Sequence, residues 1–332
     1  MQTGKFPRVQ LAALPTPLEP LKRFTKALGG PKIYIKRDDL TAIAFGGSKA
    51  RVLEYWMGYL LEKGVDTAVF SGGRAGTQSN WCRMASSAAR KVGIDPIAVL
   101  RGTRPDVYDG NVLLDELMGT DIRFMDIKPE ETHDAMQVFL NELKDKGKNP
   151  QIIDDEELPG LVGYADLVSE LLRQANDMGV HIDATVNACG SGGTYAAIAA
   201  GANALNTGIQ TIGISCGESK EFIAENSARI GNEVLRALGV NMSLNTEDMK
   251  VYDDWVGEGY GIMHETTMEA MQLLARTEGI IVGPVYTGKT LAGLVGLIRQ
   301  GYFSKDDTVV FIHTGGTPAL FPHKDEIMTL IK

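Results

Sequence analysis

Glycine-rich turns that follow strand-like runs constrain the fold of this chain more than any other feature. The four turns read FGGSK at 45–49, SGGRAGTQSN at 71–80, ACGSGGT at 188–194 and HTGG at 313–316. In an open α/β sheet, turns after the strands lie together at the carboxyl edge, where ligands bind. Four such turns in one chain therefore predict a ligand site at that edge.

Short β-branched runs alternate with amphipathic stretches along the whole chain, which predicts an α/β fold with helices on both faces of an open sheet. The predicted strands are 32–36, 67–71, 97–100, 122–125, 184–188, 211–216 and 308–313. The predicted helices are 49–63, 79–92, 113–118, 133–146, 165–178, 194–204, 218–238, 264–277 and 290–300. The polar stretch 143–156 is interpreted as a connection between two lobes.

The bulk properties exclude several classes of protein. A chain of 332 residues with 44% hydrophobic content buries a large core, and its length predicts two domains. The net charge of −9, with basic residues spread along the chain, argues against a nucleic-acid or anionic-membrane partner. No apolar run has the length of a signal peptide or a membrane span, so we expect a cytoplasmic protein.

The three cysteines carry no sign of a metal site or of a disulfide framework. Cys82, Cys189 and Cys216 are far apart and have small or apolar neighbours, which is typical of buried thiols in a reducing compartment. We therefore expect no bound metal.

The turn from Gly190 to Thr194 lets the backbone approach a ligand closely and points the start of the next helix at it. A phosphate is the natural ligand for such a turn. A tight strand-to-helix turn without a ligand is an equally good interpretation of this turn alone.

A second string, GPVYTGKT at 283–290, matches the phosphate loop of nucleotide triphosphatases. It follows an apolar run and precedes a helical pattern. However, the loop contains proline and a bulky tyrosine, and the strand that follows it ends without an acidic residue to hold magnesium. A P-loop NTPase therefore stays only as an alternative from another class.

Seven motifs in order resemble one known family, that of D-cysteine desulfhydrase and 1-aminocyclopropane-1-carboxylate deaminase. They are KRDDL at 36–40, GGSK at 46–49, QSN at 78–80, GSGGT at 190–194, GYG at 259–261, PVYTGK at 284–289 and HTGG at 313–316. The resemblance covers most of the chain. It implies pyridoxal phosphate as cofactor and the fold type II of tryptophan synthase β, in which two open, twisted, mainly parallel sheets are flanked by helices.

The resemblance implies that Lys49 forms the Schiff base with the cofactor. A lysine at a helix N-terminus beside other positive groups is expected to favour its neutral, nucleophilic form. The alternative is a solvated surface lysine, the usual situation of an isolated lysine.

Further roles follow from the same resemblance, position by position. Ser79 would lie beside the substrate carboxylate or the lysine, and Asn80 beside the cofactor. Thr314 would lie at the pyridine nitrogen, where a neutral hydroxyl favours β-elimination. Tyr260 and Tyr286 would face the substrate in proton transfer, although isolated tyrosines more often serve in packing. The phosphate would lie on Gly190, Ser191, Gly192, Gly193 and Thr194.

The motifs differ in how well they match the branches of this family. Thr287, which the resemblance makes a candidate substrate-binding residue, follows the tyrosine of PVYTGK as in the desulfhydrase branch. The deaminase branch has glutamate there, so ring opening of a cyclopropane is the weaker alternative. Three residues depart from the family pattern. Trp81 follows QSN and is expected to line the substrate pocket, Val52 replaces a lysine that commonly helps to hold the phosphate, and Gly283 replaces a common aspartate.

Two arginines raise a second alternative for the leaving group. Arg74 and Arg83 are candidates to bind an anionic side chain such as the sulfonate of cysteate, as in the cysteate sulfo-lyase of this family. The alternative interpretation makes Arg74 a solvated loop residue and Arg83 a residue of a helix surface.

The sequence thus predicts a β-elimination lyase that converts a cysteine-type amino acid to pyruvate, ammonia and sulfide, with release of sulfite from L-cysteate as an alternative. A family member without catalysis, such as an amino-acid sensor, is a further alternative. We expect a homodimer. We assign residues 1–49 and 160–332 to a larger cofactor domain and 50–159 to a smaller domain that closes over the substrate.

Overall fold

The computed structural model describes residues 1–331, which form two mainly parallel sheets flanked by helices. The strands are β1 (Leu18–Pro20), β2 (Lys32–Lys36), β3 (Thr67–Ser71), β4 (Asp95–Arg101), β5 (Asp121–Met125), β6 (Pro150–Ile152), β7 (Ala184–Cys189), β8 (Gln210–Ser215), β9 (Lys250–Tyr252) and β10 (Thr308–Ile312). One sheet has the order β1-β2-β10-β7-β8-β9, and the other has the order β5-β4-β3-β6. Only the pairing of β1 with β2 is antiparallel in these sheets. The α/β fold class predicted from the sequence is confirmed.

Eleven α-helices connect and cover these strands in the described part of the chain. They are α1 (Lys22–Leu28), α2 (Lys49–Glu62), α3 (Asn80–Val92), α4 (Gly110–Leu117), α5 (Thr132–Asp145), α6 (Val162–Asp177), α7 (Gly193–Ala204), α8 (Lys220–Ala237), α9 (Glu265–Glu278), α10 (Thr287–Arg299) and α11 (Lys324–Leu330). Among residues 1–331, no helix combines the length and apolar character that a membrane crossing requires.

The central strands are buried on both faces, which explains their continuous apolar sequences. Every residue of β7 and of β10 is buried. Helices cover both faces of a parallel sheet, so such strands have no solvent-facing side. The apolar residues of α2, α3, α6, α7 and α8 form one large core, and those of α9 and α10 pack with β2, β7, β8 and β10 in another.

All seven predicted strands and all nine predicted helices are present, with ends shifted by up to three residues. Five short elements were not predicted, namely the three-residue strands β1, β6 and β9 and the seven-residue helices α1 and α11. The stretch 143–156, predicted to connect two lobes, contains regular structure. This stretch contains the end of α5 and the strand β6, whose residues pair with β3, and then an acidic segment.

A tight loop sets the position of α2, the helix that begins with Lys49. Ala42, Ala44 and Phe45 have positive φ angles, which are rare for residues with a side chain. Gly46 follows with φ of 70°, and a Cβ there would lie 1.8 Å from the Asp39 carbonyl oxygen. Only glycine fits this position, so the paired glycines of FGGSK serve the backbone geometry that aims α2.

Candidate active site

A cavity of about 360 Å³ lies at the carboxyl ends of β3, β6, β7, β8 and β10. Because these strands belong to both sheets, the cavity lies between the two halves of the fold. It is lined by thirteen of the residues that the sequence analysis singled out, namely Lys49, Arg74, Ser79, Asn80, Trp81, Gly190, Ser191, Gly192, Gly193, Thr194, Tyr260, Tyr286 and Thr314.

Lys49 is the first residue of α2, and its Nζ forms an ion pair with the Asp155 carboxylate. Its ammonium also lies 6.0 Å from the centre of the Trp81 ring. Burial lowers the pKa of Lys49, but the charge and hydrogen bond of Asp155, together with Tyr164 and Glu156, outweigh burial and hold this pKa above its ordinary value. The expectation that the surroundings favour the neutral amine is therefore wrong, because the sequence analysis did not place a carboxylate beside Lys49.

The turn predicted to bind phosphate has the geometry of an anion site. Gly192, with φ of 114°, caps α7, and a Cβ there would lie 2.4 Å from the Ser227 hydroxyl oxygen. The Ser191 hydroxyl donates to a carboxylate oxygen of Glu156, and the Gly193 N–H donates to the same oxygen at 3.4 Å. The turn thus offers a hydroxyl, an N–H and a helix N-terminus to an anion.

Two groups at this turn were not identified from the sequence. Asp154, Asp155 and Glu156 line the cavity directly after β6, within the stretch that was interpreted as a linker. Tyr164, in α6, is buried, and its hydroxyl has no hydrogen bond of good geometry within residues 1–331. Burial raises the pKa of Tyr164, while Lys49, Thr194 and Ser48 act to lower it, so its hydroxyl faces the turn and the lysine.

Ser79 and Asn80 lie at the start of α3. The Ser79 hydroxyl accepts a hydrogen bond from the Cys82 N–H at 3.2 Å and so caps the helix. The Asn80 side-chain oxygen accepts from Arg83 at 2.9 Å and from Asn111 at 3.2 Å. Since its oxygen is engaged, Asn80 retains its NH₂ group for a ligand.

Arg83 is fully buried and does not line the cavity. Its guanidinium donates to Asn80, to Asn111 at 2.6 Å and to the Gly46 carbonyl oxygen at 3.0 Å. Burial lowers the pKa of Arg83 to about 10. Both sequence interpretations of Arg83, as a sulfonate ligand and as a helix-surface residue, are wrong. Arg83 joins the start of α3 to the loop before α2.

Arg74 lies at the mouth of the cavity with half of its side chain exposed. It forms an ion pair with Glu218, and its guanidinium lies 5.5 Å from the centre of the Tyr260 ring. Because Glu218 already neutralises this charge, Arg74 offers less attraction to an anionic substrate than its position in the sequence indicated.

The two tyrosines form a pair on the wall of the cavity. The Tyr260 and Tyr286 hydroxyl oxygens are 2.6 Å apart, and the ring centres are 5.7 Å apart. Burial raises the pKa of both phenols, so both are neutral at physiological pH. A neutral pair of this kind has one proton between the two oxygens and one further proton to donate.

Lys289 shows why the P-loop alternative is wrong. Its side chain is fully buried and donates to backbone carbonyl oxygens, at 2.8 Å for Val256 and 2.5 Å for Gly259. The Gly283 N–H bonds the Thr287 hydroxyl rather than facing a ligand. Neither the lysine nor this loop amide reaches a phosphate. Lys289 instead fixes the backbone beside Tyr260.

Three further positions that the sequence motifs drew attention to lie outside the cavity, namely Thr287, Gly283 and Val52. Thr287 is buried, bonds the backbone of Gly283 and Gly315 through its hydroxyl, and does not line the cavity, contrary to the prediction. A Cβ at Gly283 would lie 2.3 Å from the Gly316 carbonyl oxygen, so no aspartate fits there. Val52 is buried in the core, and a Cβ at Gly160 would lie 2.5 Å from it.

The cavity fits a phosphorylated pyridine. A lysine and an anion-binding turn with glycine backbone line it, and the buried Tyr164 hydroxyl lies beside Thr194 of that turn. The Thr314 carbonyl oxygen, just after β10, accepts a hydrogen bond from the Ser48 N–H at 3.1 Å, so this part of the cavity wall is tied to the start of α2.

Comparisons with known proteins agree with this fit. A family model described as pyridoxal-phosphate dependent enzyme matches residues 9–315. D-cysteine desulfhydrase of Salmonella typhi is 36% identical over 97% of this chain and 98% of the relative, and that of Salmonella choleraesuis (strain SC-B67) is 37% identical over the same shares.

Solved structures agree in fold. A crystal structure of an ACC deaminase homologue has a TM-score of 0.90 and 35% identity, covering 99% of this chain and 97% of that one. Threonine deaminase isoform 2 from Solanum lycopersicum has a TM-score of 0.69 at 17% identity, covering 96% and 84%, which supports the fold alone. The chain therefore belongs to the pyridoxal-phosphate-dependent enzymes, in the family of D-cysteine desulfhydrase and 1-aminocyclopropane-1-carboxylate deaminase.

Proposed function

We propose that this protein is a carbon–sulfur lyase that converts a cysteine-type amino acid, with D-cysteine as the first candidate, and water to pyruvate, ammonia and hydrogen sulfide. The observation that carries this proposal is the identity of 36% to 37% with D-cysteine desulfhydrases along nearly the whole chain. The cavity supports it, because a lysine, two neutral phenols and an anion-binding turn meet in a space suited to the cofactor and a small amino acid.

When bound, pyridoxal phosphate supplies an electron sink that makes the Cα proton of an amino acid acidic. In our proposal, Gly190–Thr194 holds its phosphate and Thr314 lies at its ring nitrogen. Lys49 attaches the cofactor and afterwards moves the Cα proton. Its ammonium must lose a proton before it acts, and Asp155 is the group in contact with it.

The substrate is expected to bind at the start of α3 and the tyrosine pair. The helix N-terminus capped by Ser79 suits a carboxylate, and Trp81 walls the cavity beside it. The Tyr260 and Tyr286 pair supplies a neutral proton donor for the departing sulfur.

The charges of the cavity favour sulfide over sulfite as the leaving group. Its cations, Lys49 and Arg74, are each paired with a carboxylate, and Asp154 and Glu156 line the cavity as well. A sulfonate would enter a site that already has more acidic than basic side chains, which costs free energy. L-cysteate and 1-aminocyclopropane-1-carboxylate remain the alternatives to test.

The proposal is tested with the enzyme loaded with pyridoxal phosphate. D-cysteine, L-cysteine, L-cysteate and 1-aminocyclopropane-1-carboxylate are supplied separately, and pyruvate, 2-oxobutyrate, sulfide and sulfite are assayed. We expect pyruvate and sulfide in equal amounts from D-cysteine. Sulfite from L-cysteate, or 2-oxobutyrate from the cyclopropane substrate, at a higher kcat/KM would replace the proposal. Absence of any keto acid would favour a family member without catalysis.

The Lys49→Ala variant tests the role of the lysine. We expect loss of the visible absorption of the attached cofactor together with loss of turnover, by about 1000-fold or more, because no other amine lines the cavity within residues 1–331. Lys289→Ala, which changes a lysine outside the cavity, is the comparison and should retain that absorption. Retention of both absorption and turnover by Lys49→Ala would overturn the assignment.

The homodimer and the cytoplasmic location belong to this proposal as well. Their support is the family alone, so each has its own measurement. Sedimentation velocity at micromolar concentration gives the oligomeric state, and fractionation of the producing cells gives the location.

A further inference from the structure

Glu156 is the carboxylate that engages the anion-binding turn. Its Oε1 accepts from the Ser191 hydroxyl and, at 3.4 Å, from the Gly193 N–H at the start of α7. A Cβ at Gly193 would lie 3.0 Å from the Glu156 Cγ, so this side chain packs directly on the turn. Glu156 therefore uses the same donors that a phosphate at this turn needs.

The segment that carries Glu156 is fixed to the neighbouring structure. The Trp56 indole N–H donates to the Asp154 carbonyl oxygen at 2.7 Å, and the Asp154 carboxylate accepts from the Glu156 N–H at 2.9 Å. Downstream, the buried Gly160 packs directly against Trp56, because a Cβ on this glycine would lie 2.6 Å from the indole ring. These contacts from α2 hold the Glu156 backbone beside the turn.

Among residues 1–331, the basic group that acts on Glu156 is Lys49. This ammonium is already paired with Asp155, so it is not free to offset a second negative charge at the turn. Val52, where the family commonly has a lysine for the phosphate, is apolar and buried. A phosphate and the Glu156 carboxylate at one turn would repel each other.

We propose that Glu156 competes with the cofactor phosphate for the Ser191 and Gly193 donors and thereby limits the affinity for the cofactor, more strongly as the pH rises. This inference rests on the phosphate role proposed above for Gly190–Thr194. It concerns the cofactor only and is independent of which amino acid the enzyme consumes.

The pH dependence follows from the groups that face Glu156. Burial and the Asp155 charge raise the pKa of Glu156, and Ser191, Lys49 and the Gly193 N–H partly offset them. Below this raised pKa, Glu156 is neutral and does not repel a phosphate; above it, the carboxylate competes. Asp154 of the same segment and Cys189 of β7 also interact with Glu156, and Tyr164 of α6 lies beside Thr194 of the same turn.

The test compares pyridoxine 5′-phosphate with pyridoxine, which differ only in the phosphate and cannot form a bond with Lys49. Their dissociation constants for the cofactor-free protein are measured by calorimetry at about pH 6 and about pH 8, because a carboxyl with a raised pKa carries more of its proton at the lower of these two pH values. The ratio of the two constants isolates the contribution of the phosphate. The variants are Glu156→Gln, Glu156→Ala and, as matched control, Glu157→Gln, which changes the exposed neighbour.

We expect both Glu156 variants to raise the preference for the phosphorylated ligand about tenfold at pH 8 and by less at pH 6. Glu157→Gln should leave the preference unchanged at both pH values. An unchanged or lower preference in folded Glu156→Gln and Glu156→Ala at pH 8 would overturn the proposal. Equal binding of the two ligands by the unmodified protein and by both Glu156 variants would overturn the phosphate role itself, whereas lack of turnover of D-cysteine would affect only the proposed substrate.

Discussion

Asp155 determines the acid–base state of the lysine on which the proposed chemistry depends. Its carboxylate contacts the Lys49 ammonium, and the resulting pKa of Lys49 lies above its ordinary value although burial acts in the opposite direction. A lysine with a raised pKa is almost entirely charged at neutral pH, and only its neutral form attacks a carbonyl. Asp155 therefore holds the amine in place while it slows the first attachment of the cofactor.

The Asp155→Asn variant tests this balance. Removal of the carboxylate charge lowers the pKa of Lys49, so a larger fraction of the amine is neutral at pH 8 and the cofactor attaches faster, by about tenfold for each unit of pKa. The measurement is the rate at which visible absorbance appears when the cofactor-free protein is mixed with pyridoxal phosphate. Asp177→Asn, an exposed carboxylate at the end of α6, should attach the cofactor at the unmodified rate. A slower attachment in Asp155→Asn would contradict this role.

The start of α2 is anchored by a buried network of charges around Arg51, two residues after Lys49. The Arg51 guanidinium forms two hydrogen bonds with Asp38 at 2.8 Å and two with Glu170 at 2.9 Å. Lys36 of β2 is also paired with Glu170. Because the partners lie on α2, α6 and the segment after β2, the network fixes the direction of the helix that presents Lys49.

The Arg51→Met variant should lower the free energy of unfolding by about 3–5 kcal/mol, because it leaves buried carboxylates without their main partner. Arg229→Met removes one half of an exposed pair on α8 and should cost only about 0.3–0.5 kcal/mol. Urea unfolding followed by circular dichroism measures both values. A similar small loss in the two variants would show that the buried network does not stabilise the fold.

The same network gives the stability a dependence on acid pH. Burial alone would raise the pKa of Glu170, but Arg51 and Lys36 outweigh burial and lower it from 4.5 to about 2. A depressed carboxyl pKa stabilises the folded state above the ordinary pKa, and this stabilisation is lost as the pH falls from 4.5 towards 2. Urea unfolding between about pH 6 and pH 3 should show this loss, and Arg51→Met should show a weaker dependence on pH.

Helices and strands were predicted correctly where their sequence pattern was long, and they were missed where it was short. Strands of five or more residues were recognised from their apolar character, whereas β1, β6 and β9 have three residues each and show no period. The acidic segment after β6 was assigned to a linker because charge usually indicates solvent. Arg83 was placed on a surface or on a substrate for the same reason, since its buried partners lie 28 or more residues away in sequence.

At the scale of the whole molecule, the candidate site exists only where the two sheets meet. The four-stranded sheet contributes Arg74, Ser79 and Asn80 after β3, and the six-stranded sheet contributes Gly190–Thr194 and Thr314. The glycine-rich turns predicted a site at the carboxyl ends of the strands, whereas the presence of two sheets around it was implied only by the family resemblance. The partners across the gap, such as Glu218 for Arg74, are set by the relative placement of the sheets, which no local pattern contains.

The ion pair of Arg74 and Glu218 crosses the mouth of the cavity and joins these two halves. Because Glu218 neutralises Arg74, we expect Arg74→Ala to weaken the binding of neutral and anionic ligands by the same small factor, about two- to fivefold. The KM for D-cysteine and the inhibition constant for L-cysteate are measured in the same enzyme preparation. Glu218→Gln should affect both constants in the same proportion, and Arg104→Ala, outside the cavity, should affect neither.

These variants distinguish two roles of Arg74: an ion-pair partner across the cavity mouth and a direct ligand of the substrate. If Arg74 bound the sulfonate directly, Arg74→Ala would weaken L-cysteate selectively, and Glu218→Gln would strengthen it by freeing the guanidinium. If Arg74 instead holds the segment after β3 against the loop after β8, the effect of Arg74→Ala should disappear in the Glu218→Ala background, because the pair is already broken. The double-mutant cycle thus measures whether Arg74 holds the segment after β3 against the loop after β8 or selects the substrate.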